Sequence, residues 1–176
     1  QLLLPAWQAY VLQGQTDNTL QVKIPRLLFS LLLKSGADGL DKTIALADTY
    51  LEYKQVQDNE LLRAEMLYLK SKALRYGGQH KPALALALDA FAIFEKYNFE
   101  KGNYIEVLGG LAYNYILLGG YEPAFKYNHQ HFELAVRDDD KHQQAIAMYY
   151  LGVLHSRIGN LHEAVIANIR IIRFVR

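Results

Sequence analysis

The sequence predicts an all-α fold built from consecutive pairs of helices. Three observations support this prediction: a segment of 40 to 41 residues recurs, apolar residues return every three or four positions, and a glycine recurs at one place in the segment. Intervals of three and four put residues on one face of a helix, whereas a strand would alternate between two faces. Each segment therefore predicts two helices separated by a turn.

The repeat is clearest when three alanines are aligned. Ala83, Ala124 and Ala164 lie 41 and 40 residues apart, and a weaker copy is anchored on Thr43. A glycine stands five residues before each alanine, a bulky residue nine before it and a small residue twelve before it. Recurrence of this kind is the signature of stacked helical repeats. We therefore predict a single repeat domain over 1–176, with units over 22–56, 58–98, 101–137 and 140–176 and a preceding N-terminal helix over 1–15.

The two helices of a unit carry different signals. The first has an apolar stripe, which in one unit consists of Leu108, Leu111, Tyr115 and Leu118. The second is a run rich in Ala, Leu and Ile, such as PALALALDAFAIFEKY, and is too long for an ordinary strand. The glycine ends the first helix because it adopts positive φ without strain, and a proline can follow in the first turn of the second helix. The acidic run 138–140 separates two units and can cap the following helix.

Composition limits the classes of function. A net charge of +1 over 176 residues gives no field that would attract nucleic acid or an anionic membrane. The absence of cysteine excludes disulfides, thiolate nucleophiles and cysteine-bound metal clusters. The longest apolar run, Leu27 to Leu33, is too short to span a bilayer. We expect a cytoplasmic protein that contacts neither nucleic acid nor membrane directly, and its first residue, Gln1, and amphipathic end indicate part of a longer chain.

No residue pattern points to catalysis. The sequence lacks phosphate-binding glycine motifs, a calcium loop and a nucleophile beside a base, so we predict a non-enzymatic protein without cofactor or metal. His129 and His131 lie about 200° apart around a helix and do not form a chelating pair, and His155 is expected to pack in the core. Gly119–Gly120 predicts a turn. Gly109–Gly110 falls inside a predicted helix, which favours close helix packing there over a ligand contact or a kink.

The aligned positions resemble the tetratricopeptide repeat (TPR) in a long variety. The shared pattern is a Leu-small pair, an aromatic, a turn glycine, an aromatic or Leu, and an alanine, found at Leu111-Ala112, Tyr115, Gly119, Tyr121 and Ala124 and again at Leu151-Gly152, His155, Gly159, Leu161 and Ala164. The resemblance implies a right-handed α-solenoid of antiparallel helix pairs, a TPR-like superhelix. The period exceeds the roughly 34 residues of the common repeat, which implies longer helices. His131 stands where the family usually has a small residue, so the packing of that unit is expected to differ.

The resemblance also implies a concave face lined by the first helix of each pair. On it we predict partner-binding residues at intervals of three and four: Glu65, Tyr68, Lys72 and Arg75; Glu106, Tyr113 and Ile116, with Gly109 between them; and Tyr149, Val153 and Ser156, preceded by Ile146. Tyrosines among charges suit a protein, a peptide or a small polar ligand. The alternative is a solvated wall whose tyrosines pack on neighbouring helices. A clamp for a C-terminal carboxylate is not expected, because Gly110, Ile146 and Tyr150 occupy positions of its polar residues.

Two functions remain open at this point. The first is an interaction and sensing module, which forms the regulatory part of a larger signalling protein, similar to bacterial regulators whose output domain lies elsewhere. The second is a passive scaffold or assembly subunit that forms homo-oligomers through the ends of its solenoid, where the segment IRIIRFVR would expose apolar side chains.

Overall fold

The computed structural model describes residues 27–34, 36–97 and 103–174, and every regular element in these ranges is an α-helix. The all-α prediction is therefore confirmed, while the predicted N-terminal helix over 1–15 lies outside the described residues. Contacts divide the chain into two compact units, the first ending at Ile93 and the second beginning at Phe94. None of the helices in the described ranges has the length and apolar character needed to cross a bilayer.

The helices follow one another in sequential antiparallel pairs. A helical segment, α1, covers 27–33. The helices that follow are α2 Ala37–Glu52, α3 Lys54–Gln57, α4 Glu60–Tyr76, α5 His80–Lys96, α6 Asn103–Leu118, α7 Tyr121–Arg137, α8 Lys141–Arg157 and α9 Leu161–Phe174.

In the first unit, α2 packs against α4 and the short α3 contacts both. The buried core of this part consists of Phe29, Leu46, Ala47, Tyr50, Val56, Leu62, Met66 and Leu69. Asn59 caps α4, because its side chain accepts a hydrogen bond from the backbone N–H of Leu62 at 3.1 Å. Ser71 Oγ donates to the carbonyl oxygen of Ala83 at 2.7 Å. This hydrogen bond joins α4 to α5.

In the second unit, α6, α7, α8 and α9 each pack against the next helix, and α6 also contacts α8. A buried cluster of Ile116, Ala124 and Leu154 joins the first three of these helices. Two buried amides tie α7 to α8: Asn128 Nδ2 donates to the Ala147 carbonyl oxygen at 3.1 Å, and Gln144 Nε2 donates to that of Ala135 at 3.0 Å. Such bonds hold the register of the two helices because a buried amide without a partner is unfavourable.

The turn inside each helix pair has one repeated geometry. Gly78, Gly119 and Gly159 adopt φ of 77°, 79° and 79°, in the left-handed region that favours glycine. In each turn the following N–H donates to a carbonyl oxygen five residues back, from Gln79 to Leu74, from Gly120 to Tyr115 and from Asn160 to His155 at 2.8–2.9 Å. This is the Schellman arrangement at a helix C-terminus. The prediction that Gly119–Gly120 forms a turn is confirmed.

The acidic run between α7 and α8 also behaves as predicted. Asp140 is the N-cap of α8, and its side chain accepts a hydrogen bond from the backbone N–H of Gln143 at 3.0 Å. The turn is closed by Asp139, whose φ of 50° is positive without a glycine. Aspartate tolerates this conformation better than most residues.

Candidate functional site

The residues predicted to bind a partner in the first unit all lie on α4, and most of them are buried. Glu65 and Tyr68 are each 1% exposed, and Arg75 is also buried. The Arg75 guanidinium lies 4.8 Å from the centroid of the Tyr76 ring, a cation–π contact. Lys72 is half-buried. Of these four residues, Lys72 therefore offers a partner the most accessible side chain.

In the second unit the predicted residues divide by depth. Ile116 is 2% exposed and belongs to the buried cluster with Ala124 and Leu154, so its side chain is covered by the protein itself. The other predicted residues are accessible at least in part: Glu106, Tyr113, Ile146 and Val153 are half-buried, and Tyr149 and Ser156 are exposed.

Two of the accessible residues, Tyr113 and Tyr149, belong to a cluster of three tyrosines that also includes Tyr150. The ring of Tyr113 on α6 lies 5.1 Å from that of Tyr150 on α8, and Tyr149 lies 5.8 Å from Tyr150. Tyr149 is 50% exposed, so much of its ring is available to a partner. We call the α6–α8 face the surface formed by Glu106, Tyr113, Tyr149, Tyr150, Val153 and Ser156.

Tyr150 was not among the residues predicted for this face. The repeat aligns Tyr150 with Gly110, yet its ring contacts Tyr113, one turn further along α6. The offset between α6 and α8, the first helices of two adjacent repeats, depends on the angle at which the helices cross. The pattern of residues within one repeat does not determine that angle. The adjacent pair Tyr149-Tyr150 is the only local signal that could have suggested it.

Beneath this face, the backbone of Gly109 on α6 packs directly against the ring of His131 on α7. His131 is fully buried, and its Nε2 lies 2.8 Å from Gln143 Oε1. A Cβ atom added to Gly109 would stand 2.8 Å from His131 Cε1, closer than side chains tolerate. The prediction of close packing at Gly109 is confirmed, and the unusual histidine in place of a small residue is accommodated by a glycine on the facing helix.

The chemistry of His131 follows from its burial. Burial lowers the pKa of the imidazole below its ordinary value, while the bond to Gln143 and the charges of Asp140 and Glu106 oppose that shift. His131 Nδ1 has no hydrogen-bond partner within the described ranges. The ring is therefore a neutral packing element that holds α7 against α6 and α8.

Solved structures with the same arrangement of helices identify the fold. They are crystal structures of a Podosopora anserina protein assigned as a kinesin light chain, with nearly identical TPR-like repeats. The structure of a point variant of that protein has 16% sequence identity to this chain and a TM-score of 0.56. A second structure of that protein has 17% sequence identity and a TM-score of 0.55. Each match covers 98% of this chain and 92% of that chain. The chain has a TPR-like repeat fold.

At a sequence identity this low, the matches establish the TPR-like fold and nothing about function. No protein-family model matches the sequence, and no curated protein matches it. The function of this TPR-like chain must therefore be argued from its own side chains.

Two further histidines, His129 and His155, contact neighbouring side chains. His129 forms an exposed ion pair with Glu133, four residues later on α7, at 3.2 Å between Nδ1 and Oε2. His155 packs edge-on against the ring of Phe125 at 5.5 Å, but it is half-buried and does not lie in the core as predicted. In the described part of the chain, no three acidic or histidine side chains come together as metal ligands would.

Proposed function

We propose that this chain is a non-enzymatic TPR-like module that binds a protein or peptide through its α6–α8 face. The observation that supports this proposal most is the cluster of Tyr113, Tyr150 and Tyr149, in which the Tyr149 ring stays 50% exposed beside Tyr150. Tyrosines of this kind are enriched at binding hot spots, because they bury much area and lose little conformational entropy.

The composition of the α6–α8 face indicates the kind of partner. Tyr149, Val153 and Ser156 lie at intervals of four and three on one side of α8, and they combine an apolar centre with hydroxyl groups. Glu106 on α6 adds one negative charge. We infer a short peptide or a partner helix with an apolar anchor for the tyrosines and a basic residue near Glu106.

We also propose what kind of larger protein contains this module. The module is the regulatory part of a larger cytoplasmic signalling protein, and partner binding at this face is what it contributes to signalling. This rests on resemblance to long TPR regulators and on a net charge that favours no nucleic-acid contact.

The binding proposal is tested by selecting peptides from a random display library against the purified chain and mapping the selected peptide by amide chemical shifts. We expect the largest shifts at Tyr149, Val153 and Ser156. Shifts confined to helices other than α6 and α8 would contradict the choice of face. Failure to select any peptide that carries an apolar anchor would contradict the choice of partner.

A second candidate is self-association, and a specific observation favours it. Apolar side chains at the end of the second unit are exposed, and Leu161 is 66% exposed. Leu161 and Val165 on α9 align with Tyr121 and Phe125 on α7, which pack against the cluster around Leu154. The α9 stripe thus lacks in the described chain the cover that its α7 counterpart has. A mass measured by light scattering that rises with concentration, and that falls back in Leu161→Gln, would favour this function.

A further inference from the structure

A cavity of about 300 Å³ lies between α7, α8 and α9. Its walls are largely apolar and include Phe125, Phe132, Met148, Leu151, Ile166 and Ala167. The exposed side chains of His129, Glu163 and Arg170 also line it, so that it opens to solvent. Protein interiors are close-packed and contain few voids larger than a water molecule. Although this cavity opens to solvent, its size indicates that the side chains between the three helices do not fill the space there.

The cause becomes apparent when the two helix pairs of the second unit are compared. In the pair α6–α7, the ring of Tyr127 stacks on the ring of Tyr115, with 5.7 Å between centroids and 8° between planes. Forty residues later, in the pair α8–α9, the equivalent residues are Ala167 and His155. Both of them line the cavity. The cavity therefore coincides with the place where one ring of an internal aromatic stack has been replaced by a methyl group.

The remaining walls suit a planar ring. The ring of His155 meets the ring of Phe125 edge-on, with 5.5 Å between centroids. This contact holds the His155 ring in place as one wall of the site. Aromatic rings prefer offset-stacked or edge-on neighbours at such distances. An engineered cavity of about 150 Å³ binds benzene, so a cavity twice as large has room for a ring and a substituent.

The charges at the mouth select the substituent. Arg170 lines the cavity from α9, and within the described residues it forms no ion pair. A guanidinium binds a carboxylate with two parallel hydrogen bonds. Glu163, on the same helix, would disfavour a second negative charge. A ligand with one carboxylate fits this mouth better than a dianion.

We propose that the α7–α8–α9 cavity is a binding site for a small planar aromatic monocarboxylate. The ring of the ligand occupies the space that Tyr127 fills in the preceding helix pair and packs against His155, and its carboxylate binds Arg170. The site lies on α7, α8 and α9 and is distinct from the α6–α8 face, so it gives the module a second, small-molecule input.

The test uses the whole chain of 176 residues and indole-3-acetate as the probe, with indole and tryptamine as uncharged and cationic analogues. We expect calorimetry to show that indole-3-acetate binds more tightly than indole, and that tryptamine binds least. Arg170→Gln should weaken indole-3-acetate about fivefold or more while leaving indole unchanged. Equal affinity for all three compounds would contradict the role of Arg170.

The decisive variant is Ala167→Tyr, which restores the missing ring. It should raise the midpoint of thermal unfolding and weaken indole-3-acetate about tenfold or more, because the side chain occupies the site. The matched control is Val165→Tyr, which adds the same side chain at an exposed position of the same helix and should leave affinity unchanged.

Two outcomes would overturn the proposal. One is the absence of binding by indole-3-acetate at millimolar concentration. The other is undiminished binding by a folded Ala167→Tyr variant. Should that variant not fold, Ala167→Leu fills part of the same space, and in the unmodified chain the amide shifts of His155 and Ala167 on addition of the probe must exceed those of Tyr149.

Discussion

Gly109 on α6 lies directly against the imidazole of His131 on α7, so closely that a Cβ atom at Gly109 would stand 2.8 Å from His131 Cε1. The His131 ring cannot easily move away from such a Cβ atom, because it is fully buried and its Nε2 lies 2.8 Å from Gln143 Oε1. Gly109 therefore serves packing inside a helix, where a glycine would otherwise only weaken the helix.

The first prediction concerns that contact. Gly109→Ala should destabilise the protein by about 1–3 kcal/mol through overpacking, although alanine is the better helix former. Urea unfolding measures the change. Gly77→Ala is a suitable control, because a Cβ there meets its nearest atoms at an ordinary 3.5 Å. A Gly109→Ala variant as stable as the original chain would contradict the account, and Gly109→Ala combined with His131→Ala should show strong coupling between the two sites.

The second prediction is a pH dependence of stability that arises from His131. Burial lowers the pKa of the folded imidazole below 6.5, so the unfolded chain takes up a proton more readily than the folded chain. The contribution of His131 is therefore complete above about pH 6.5 and is lost as the pH falls from 6.5 towards the lowered pKa of the folded state. Urea midpoints measured between pH 8 and pH 5 should fall more steeply in the original chain than in His131→Gln. Parallel curves for the two proteins would refute this assignment.

The third prediction concerns the cap of α8. Asp140→Ala removes the hydrogen bond that the Asp140 side chain accepts from the Gln143 N–H, and should cost about 0.5–2 kcal/mol of unfolding free energy. Asp138→Ala is the comparison, because Asp138 lies in the same turn but its carboxylate accepts its hydrogen bond from the exposed side chain of Arg137 and not from a helix N-terminus. Its effect should stay within about 0.5 kcal/mol. Equal losses in the two variants would indicate a general charge effect instead of a cap.

The helix pairs and their turns could be predicted from the sequence. Turn chemistry is local: a glycine at a fixed distance from an alanine fixes both the end of one helix and the start of the next, as at Gly119 and Ala124. Asp140 as a cap was predictable for the same reason.

The depth of the candidate residues could not be predicted in the same way. Intervals of three and four place Glu65 and Tyr68 on one face of α4, and Ile116 on the corresponding face of α6. Whether these side chains are buried depends on which side chains from other helices cover each face. All three are buried, so the accessible surface is narrower than the stripe that the repeat suggested. The contact between Tyr113 and Tyr150 depends on helix crossing as well, and therefore emerged only from the structure.

The proposed function requires that the exposed Tyr149 ring on the α6–α8 face contacts the partner. Its most direct test is the dissociation constant of a selected peptide for Tyr149→Ala, measured beside Tyr97→Ala, which removes another exposed tyrosine that is not one of the residues of the face. The account predicts that Tyr149→Ala weakens binding about tenfold or more with an unchanged unfolding midpoint, while Tyr97→Ala binds as the original chain does. An equal dissociation constant for Tyr149→Ala and the original chain would contradict it.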